Sequence, residues 1–460
     1  QLAMFVILAR LIGPREIGII GIVLLSINSL RHFTNIGIQE ALVQQKAEDI
    51  DDYLNTAWVL GIGRGILITT AAFVAAPFLA GVFGTPEVTD LIRLAALSPI
   101  IVSLRNPGTV YFQKDFDFQK LFVYRVAGDG VQFLVAVGYA LVSPNAIAFV
   151  FGFLAGNVVR SGISYVIHDY RPWPAFDRER GREIVSYGKW MTGNSILYFL
   201  YGEGDDAFVG WLLTPAALGF YQYAYKLSNA PATEVAEVIS SVIFPTFSKL
   251  QDDAALLRDT FLKTVRMTSF VMFPMAFGIV VVAPSFVEAV LGTRWLPMVP
   301  AMQILAIFGL LRGITKTIHP VWKALGKPDY ITKISTLRVV LLALVIYPAT
   351  AAYGFAGTAL AVTGIYLVPV ILVELYVVTD TVGVTYTQLG YEFLYPFCAS
   401  VTMALGTWYV AHLLTVSPLV ETVLLPLTGV VLYAASIHVL DSQFDWGIRD
   451  NIRRLLVSIR

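Results

Sequence analysis

The sequence predicts an all-α integral membrane protein of about fourteen transmembrane helices, built as two parallel six-helix lobes with two further helices appended. Three observations carry that reading. The 460 residues are 57% hydrophobic and only 14% charged, with a mean hydropathy of +0.70, whereas soluble domains carry about 25% charged residues. The apolar residues are gathered in helix-length runs separated by short polar links. The cations sit on alternate links, as the positive-inside rule requires of a multi-pass protein.

Crossing the hydrocarbon takes about 20 apolar residues as a helix, and backbone groups left unpaired in lipid exclude open strands. Leu2 to Ile12 is the tail of a first span, because Gln1 already stands inside an apolar run and predicts that the helix starts upstream. Gly13-Pro14-Arg15-Glu16 separates it from a second span, Ile17 to Ile38. The next four are Asn55 to Phe83, Val88 to Leu104, Leu121 to Val142 and Ala146 to Ile167. Tyr187 to Leu213 and Ala217 to Phe247 form the seventh and eighth. Met267 to Leu291, Met298 to His319, Ile334 to Ala352 and Phe355 to Val378 follow, and Leu389 to Leu414 and Val420 to Val439 complete the set. The expected divisions are a first lobe at 1–170, an amphipathic cytoplasmic loop at 171–186, a second lobe at 187–380, two appended helices at 381–440 and a cytoplasmic tail at 441–460.

With both termini cytoplasmic, twenty Lys and Arg residues fall on the inner links and tail, from Lys46 to Arg460, against Arg15 and Arg294 outside. Shifting one span would scramble this separation. The expected location is the cell membrane. The basic loop from Arg171 to Lys189 is expected to lie on anionic headgroups.

An internal repeat accounts for the two lobes. Leu11-Ile12-Gly13-Pro14-Arg15-Glu16-Ile17-Gly18 is echoed by Leu212-Leu213-Thr214-Pro215-Ala216-Ala217-Leu218-Gly219, with the same Pro-to-Gly spacing. An even number of spans separates these links, so the copies run parallel, related by an axis along the membrane normal.

Charges inside the spans are distributed unevenly. The first lobe holds Arg10, Arg31, Arg64, Arg93, Arg125 and Arg160 against Asp129 alone. The second holds Lys226, Arg312, Lys316 and Arg338 against Glu203, Asp205, Asp206, Glu234, Glu237, Glu288 and Glu374. Buried charge must face protein or water and find a partner. An excess of arginine therefore predicts a negatively charged ligand, and the guanidinium fork suits the oxygens of a diphosphate. Arg10, Arg93, Arg125 and Arg338 lie near helix ends and are expected to snorkel. The deeper Arg31, Arg64, Arg160 and Arg312 are the candidate ligand residues. Asp205, Asp206, Lys226, Glu234 and Glu237 are candidates for ion coupling or helix pairing, with Lys226 expected to pair with one of the two aspartates while the other exchanges a proton.

The chain carries no Gly-x-Ser-x-Gly elbow, P-loop, cysteine pair or His-Glu-x-x-His motif, and its one cysteine and five scattered histidines predict no metal centre or cofactor. Its net charge of zero argues against a nucleic-acid partner.

At these residues the chain resembles the polysaccharide flippases, or Wzx-like lipid-linked oligosaccharide exporters, of the multidrug/oligosaccharidyl-lipid/polysaccharide exporter superfamily. The matching stretches are Ala9 to Gly18, Phe112 to Leu121, Asp205 to Gly210 running into Pro215 to Tyr225, and Phe244 to Leu250. The resemblance implies a monomeric two-lobed transporter with a central cavity. It would turn a polyprenyl-diphosphate-linked glycan from the inner to the outer leaflet by alternating access among membrane lipids, with H+ or Na+ as coupling ion. Asp205 aligns with the family's acid ahead of Gly210, and Asp206 is an additional one. A multidrug or cation exporter of the same superfamily is the alternative, and would favour acids over arginines in its cavity. A membrane glycosyltransferase or polymerase would instead need an acidic metal motif or a large loop.

Overall fold

A computed structural model describes residues 2–44, 50–115, 117–414, 416–444 and 446. Lys46 and the tail cations Arg449, Arg453, Arg454 and Arg460 lie outside the described residues. Among those described, regular structure is helical throughout and no strand occurs. Sixteen α-helices follow in order: α1 Leu2–Phe33, α2 Ile38–Gln44, α3 Ile50–Val82, α4 Val88–Ala95, α5 Leu97–Ser103, α6 Val110–Lys114, α7 Phe118–Val142, α8 Ala146–Val166, α9 Arg178–Leu212, α10 Pro215–Leu250, α11 Ala254–Phe286, α12 Val299–Ala324, α13 Asp329–Ile365, α14 Ile371–Val382, α15 Tyr386–Leu413 and α16 Pro418–Phe444.

Eight helical stretches among the described residues are long and apolar enough to cross a membrane. The protein is therefore a multi-pass membrane protein. One stretch, Asp329–Val382, holds both the eleventh and twelfth predicted spans, because the chain bends at Tyr353 and Gly354, where Gly354 takes φ +58°. Gly13 breaks α1 in the same way at φ +80°, and Pro14 restarts it where a missing N–H costs nothing. The fourth predicted span is divided at Ala96 into α4 and α5, since Pro99 cannot donate to the helical ladder. The seventh and eighth predicted spans fall on α9 and α10.

The chain forms two compact units, residues 1–220 and 221–460. In the first, α7 and α8 pack backbone to backbone. A Cβ on Gly152 would meet Ala136 and the Gln132 carbonyl, and one on Gly156 would meet the Gly128 carbonyl. This small-residue stripe replaces the hydrophobic drive that lipid removes. α9 packs on the end of α1, where the Thr192 hydroxyl donates to the Asn35 carbonyl at 2.6 Å and Asn35 Nδ2 to Ser195 Oγ at 2.8 Å. The two Pro-x-x-x-Gly links touch each other: Gly18 lies against the Pro215 carbonyl and Gly219 against the Pro14 carbonyl. At the same end, the Ala146 N–H donates to Glu16 Oε2 at 2.9 Å, and Arg15 pairs with Glu87.

The opposite end of this unit is closed by the chain between α8 and α9. Asn55 Oδ1 on α3 accepts from the Tyr170 hydroxyl at 2.9 Å and the Trp173 N–H at 2.8 Å, and Arg180 Nη2 reaches Asp52 Oδ2 at 2.6 Å. Asp177 caps α9, and the N–H of Arg180, then that of Glu179, hold its carboxyl below the usual carboxylate range. The basic loop is thus docked on α3, with Arg171 donating to the carbonyls of His168 and Tyr170.

In the second unit α12 is the most enclosed helix, with Phe308, Ile318, Val321 and Trp322 at 0–1% exposure. α15 and α16 are fastened to α11 by a polar knot. Arg266 Nε and Nη2 each donate to Glu392 at 2.7 Å, and Trp446 Nε1 adds a third bond at 3.0 Å.

Candidate functional site

Arginines converge where α1 ends in the first unit. The helix stops at Phe33, and Gly37, at φ +59°, turns the chain into α2, with its N–H held by Asn35 Oδ1. Arg31 and His32 therefore stand on the last turn of α1. Arg64, half-buried on α3, donates from Nη2 to the Arg31 carbonyl at 2.6 Å and from Nε to Thr34 Oγ1 at 3.4 Å. A cation at an unsatisfied helix C-terminus meets the negative end of the helix dipole. Arg105 follows α5, donates to Asn157 Oδ1 on α8 at 2.9 Å and lies 6.0 Å over the Tyr124 ring.

These side chains line a cavity of about 630 Å³ to which Arg125 of α7 also contributes. Four guanidinium groups and His32 face it, and Glu40 is the one acid among the described lining residues. Glu203 of α9 stands nearby, accepting from Asn28 Nδ2 at 3.4 Å, with Arg31 within electrostatic reach of both Glu203 and Arg105. An anion with several oxygens fits such a lining, because charge-assisted forks act strongly where water is scarce.

The other sequence candidates lie elsewhere. Arg160 of α8 forms an ion pair with Asp129 of α7 and does not line the cavity. Arg312 belongs to the second unit, where Nη1 donates to the Tyr225 hydroxyl at 3.1 Å. Asp205 is buried and Asp206 half-buried on α9 in the first unit, while Lys226 is half-buried and Glu234 exposed on α10 in the second. The Glu237 side chain lies outside the described residues. Structure thus joins Arg31 and Arg64 of the candidate four, and adds Arg105 and Arg125. Arg125 is itself exposed and lies beside the inward stripe of Gly128, Gln132, Ala136 and Ala140 on α7, so the apolar pattern did not mark it. Arg105 had no signal either, because it sits on an irregular link.

The second unit holds a cavity of different character, about 820 Å³, lined by Phe270, Pro274 and Met275 of α11, Met403 of α15, and Val430 and Tyr433 of α16. His438 and Asp441 are its ionisable lining residues.

Residues 7–300 match the family described as "Polysaccharide biosynthesis protein". The chain is 26% identical to the lipopolysaccharide biosynthesis protein WzxC of Escherichia coli K12, over 88% of this chain and 84% of that one. It is 27% identical to the teichuronic acid biosynthesis protein TuaB of Bacillus subtilis 168, over 64% of this chain and 61% of that one. The solved lipid II flippase MurJ, in its inward closed conformation, has the same fold at a TM-score of 0.73 and 13% identity, covering 94% of this chain and 97% of MurJ. An inward-facing multidrug resistance MATE family transporter of the MOP superfamily superposes at 0.66 with 14% identity, over 83% of this chain and 94% of its own. With nearly three hundred consecutive residues matched and the fold shared over almost its whole length, this chain belongs to the polysaccharide biosynthesis protein family.

Proposed function

We propose that the chain is a flippase that carries a lipid-linked oligosaccharide or polysaccharide precursor from the inner to the outer leaflet of the cell membrane by alternating access. The observation that carries this reading is the cavity in which Arg31, Arg64, Arg105 and Arg125 face Glu40. A polyprenyl-diphosphate head group supplies the negative charge such a lining lacks, and a cation or multidrug exporter would find repulsion there. The names of WzxC and TuaB tie those proteins to lipopolysaccharide and teichuronic acid biosynthesis, which supports a glycan precursor as the cargo. In this reading 1–170 and 187–380 act as the two lobes of a monomer with both termini cytoplasmic.

H+ or Na+ is the coupling ion in this reading, with Asp205, Asp206, Lys226, Glu234 and Glu237 as candidate carriers on α9 and α10. The test is translocation of a polyprenyl-diphosphate oligosaccharide in proteoliposomes. Inorganic diphosphate should compete with it, and an organic cation should not. Inhibition by the cation alone would refute the reading in favour of a multidrug exporter. Asp205→Asn, Asp206→Asn and Lys226→Ala should flatten the pH dependence of transport. Unchanged pH profiles with lowered stability would reduce these residues to helix pairing.

A further inference from the structure

Arg105 reaches the first cavity from a stretch of chain that no helix holds. α5 ends at Ser103, and the residues from there to Asn106 are irregular. The last carbonyls of a helix lack intrahelical partners, so such a link needs side chains from elsewhere to fix it. α8 supplies them. Ser161 Oγ donates to the Ile101 carbonyl at 2.7 Å, the Tyr165 hydroxyl donates to the Leu104 carbonyl at 2.8 Å, and Ser164 Oγ accepts from the Asn106 N–H at 2.9 Å. Asn157 Oδ1 completes the set by accepting from Arg105 Nη2 at 2.9 Å. Positions 157, 161, 164 and 165 share one face of a helix. Small hydroxyls join membrane helices in many places, and what singles out this face is its fourth member, which holds a charge.

Asn157 is 3% exposed, and its amide is itself fixed, with Nδ2 donating to the Phe153 carbonyl at 2.9 Å. It is also neutral. Arg31 and Arg160 both stand within electrostatic reach of Arg105, and like charges at that range turn a free side chain away. A carboxylate at 157 would hold Arg105 but cancel the charge that the cavity presents. An amide holds it and leaves the charge intact. With Nη2 committed to Asn157, Arg105 Nε is buried with no hydrogen-bond partner among the described residues, while the side chain lines the cavity. A buried guanidinium N–H left unpaired costs free energy that a ligand oxygen recovers.

We propose that Asn157 is a positioning residue of the anion site, with Ser161, Ser164 and Tyr165 as its frame. The polar face of α8 delivers Arg105 to the head group of the cargo, with Nε–H available to an anionic oxygen, and does so without neutralising the guanidinium. Asn157 itself touches no ligand and acts through Arg105. The inference rests on the flippase reading in that it takes the cavity to be an anion site.

Calorimetric titration of inorganic diphosphate into the full chain in lipid nanodiscs tests it, with thermal unfolding followed in parallel. Arg105→Gln and Asn157→Leu should each weaken binding about tenfold, the size of one charge-assisted hydrogen bond. The double variant should bind no more weakly than Arg105→Gln alone, because the effect of Asn157 passes through that one side chain. Losses that multiply would make Asn157 a packing residue and overturn the proposal. Asn157→Asp keeps an acceptor for Arg105 and gives a second reading should the leucine variant fail to fold. It should also bind diphosphate more weakly than the wild type, since the ion pair spends the charge, and wild-type affinity there overturns the proposal too. A wild type that binds no diphosphate takes down the flippase reading and this inference together. Binding that is lost in Arg31→Ala and untouched by Asn157→Leu removes the inference alone.

Discussion

The two cavities differ in what they can hold. That of the first unit is ringed by guanidinium groups at the irregular ends of α1 and α5, where Asn35, Gly37 and Asn106 interrupt the helices. That of the second lies between the regular mid-portions of α11, α15 and α16 and is lined by Phe, Met, Val and Pro side chains. Polar groups gather where backbone bonding is already broken, because a helix end must be satisfied by side chains or ligand in any case. Apolar volume opens where helices are intact.

The sharpest way to break this contrast is to discharge the first cavity. Arg31→Ala and Arg64→Ala should each cost about 2 kcal/mol of head-group binding, ~30-fold, with export lost in the double variant. The check is surface glycan in cells lacking their own exporter, with protein level in the membrane followed by blotting. Arg31→Lys should fall between, since it keeps charge without the fork.

Arg160 and Asp129 sharpen the contrast from the other side, because they are arginine and acid already satisfied by each other. Removing either should lower stability by about 2–3 kcal/mol, less than a fully buried pair loses. The double variant should recover part of that in thermal unfolding, while head-group affinity stays put. The smallest expected effect belongs to the apolar cavity. Thr407, 3% exposed there, has a hydroxyl with no hydrogen-bond partner. Thr407→Val should be neutral or stabilising by up to about 1 kcal/mol, since it removes an unsatisfied polar atom. A clear loss of stability would mean that the second cavity is not apolar in use.

The fold class could be read from the chain because lipid admits few architectures, and the Pro14 and Gly354 regions announced their own breaks. Candidate site residues were only partly legible. Depth along a span separated Arg31 and Arg64 from the interface, yet depth does not say which face a residue takes. Arg160 is deep and is spent on Asp129, while Arg125 is near a helix end and lines the cavity.

The contact between the two Pro-x-x-x-Gly links bears on which residues each of them can carry. Any side chain at Gly18 would strike the carbonyl of Pro215, and any at Gly219 would strike that of Pro14. Neither obstacle is a flexible side chain that could step aside. Each copy of the motif therefore vetoes substitution in the other.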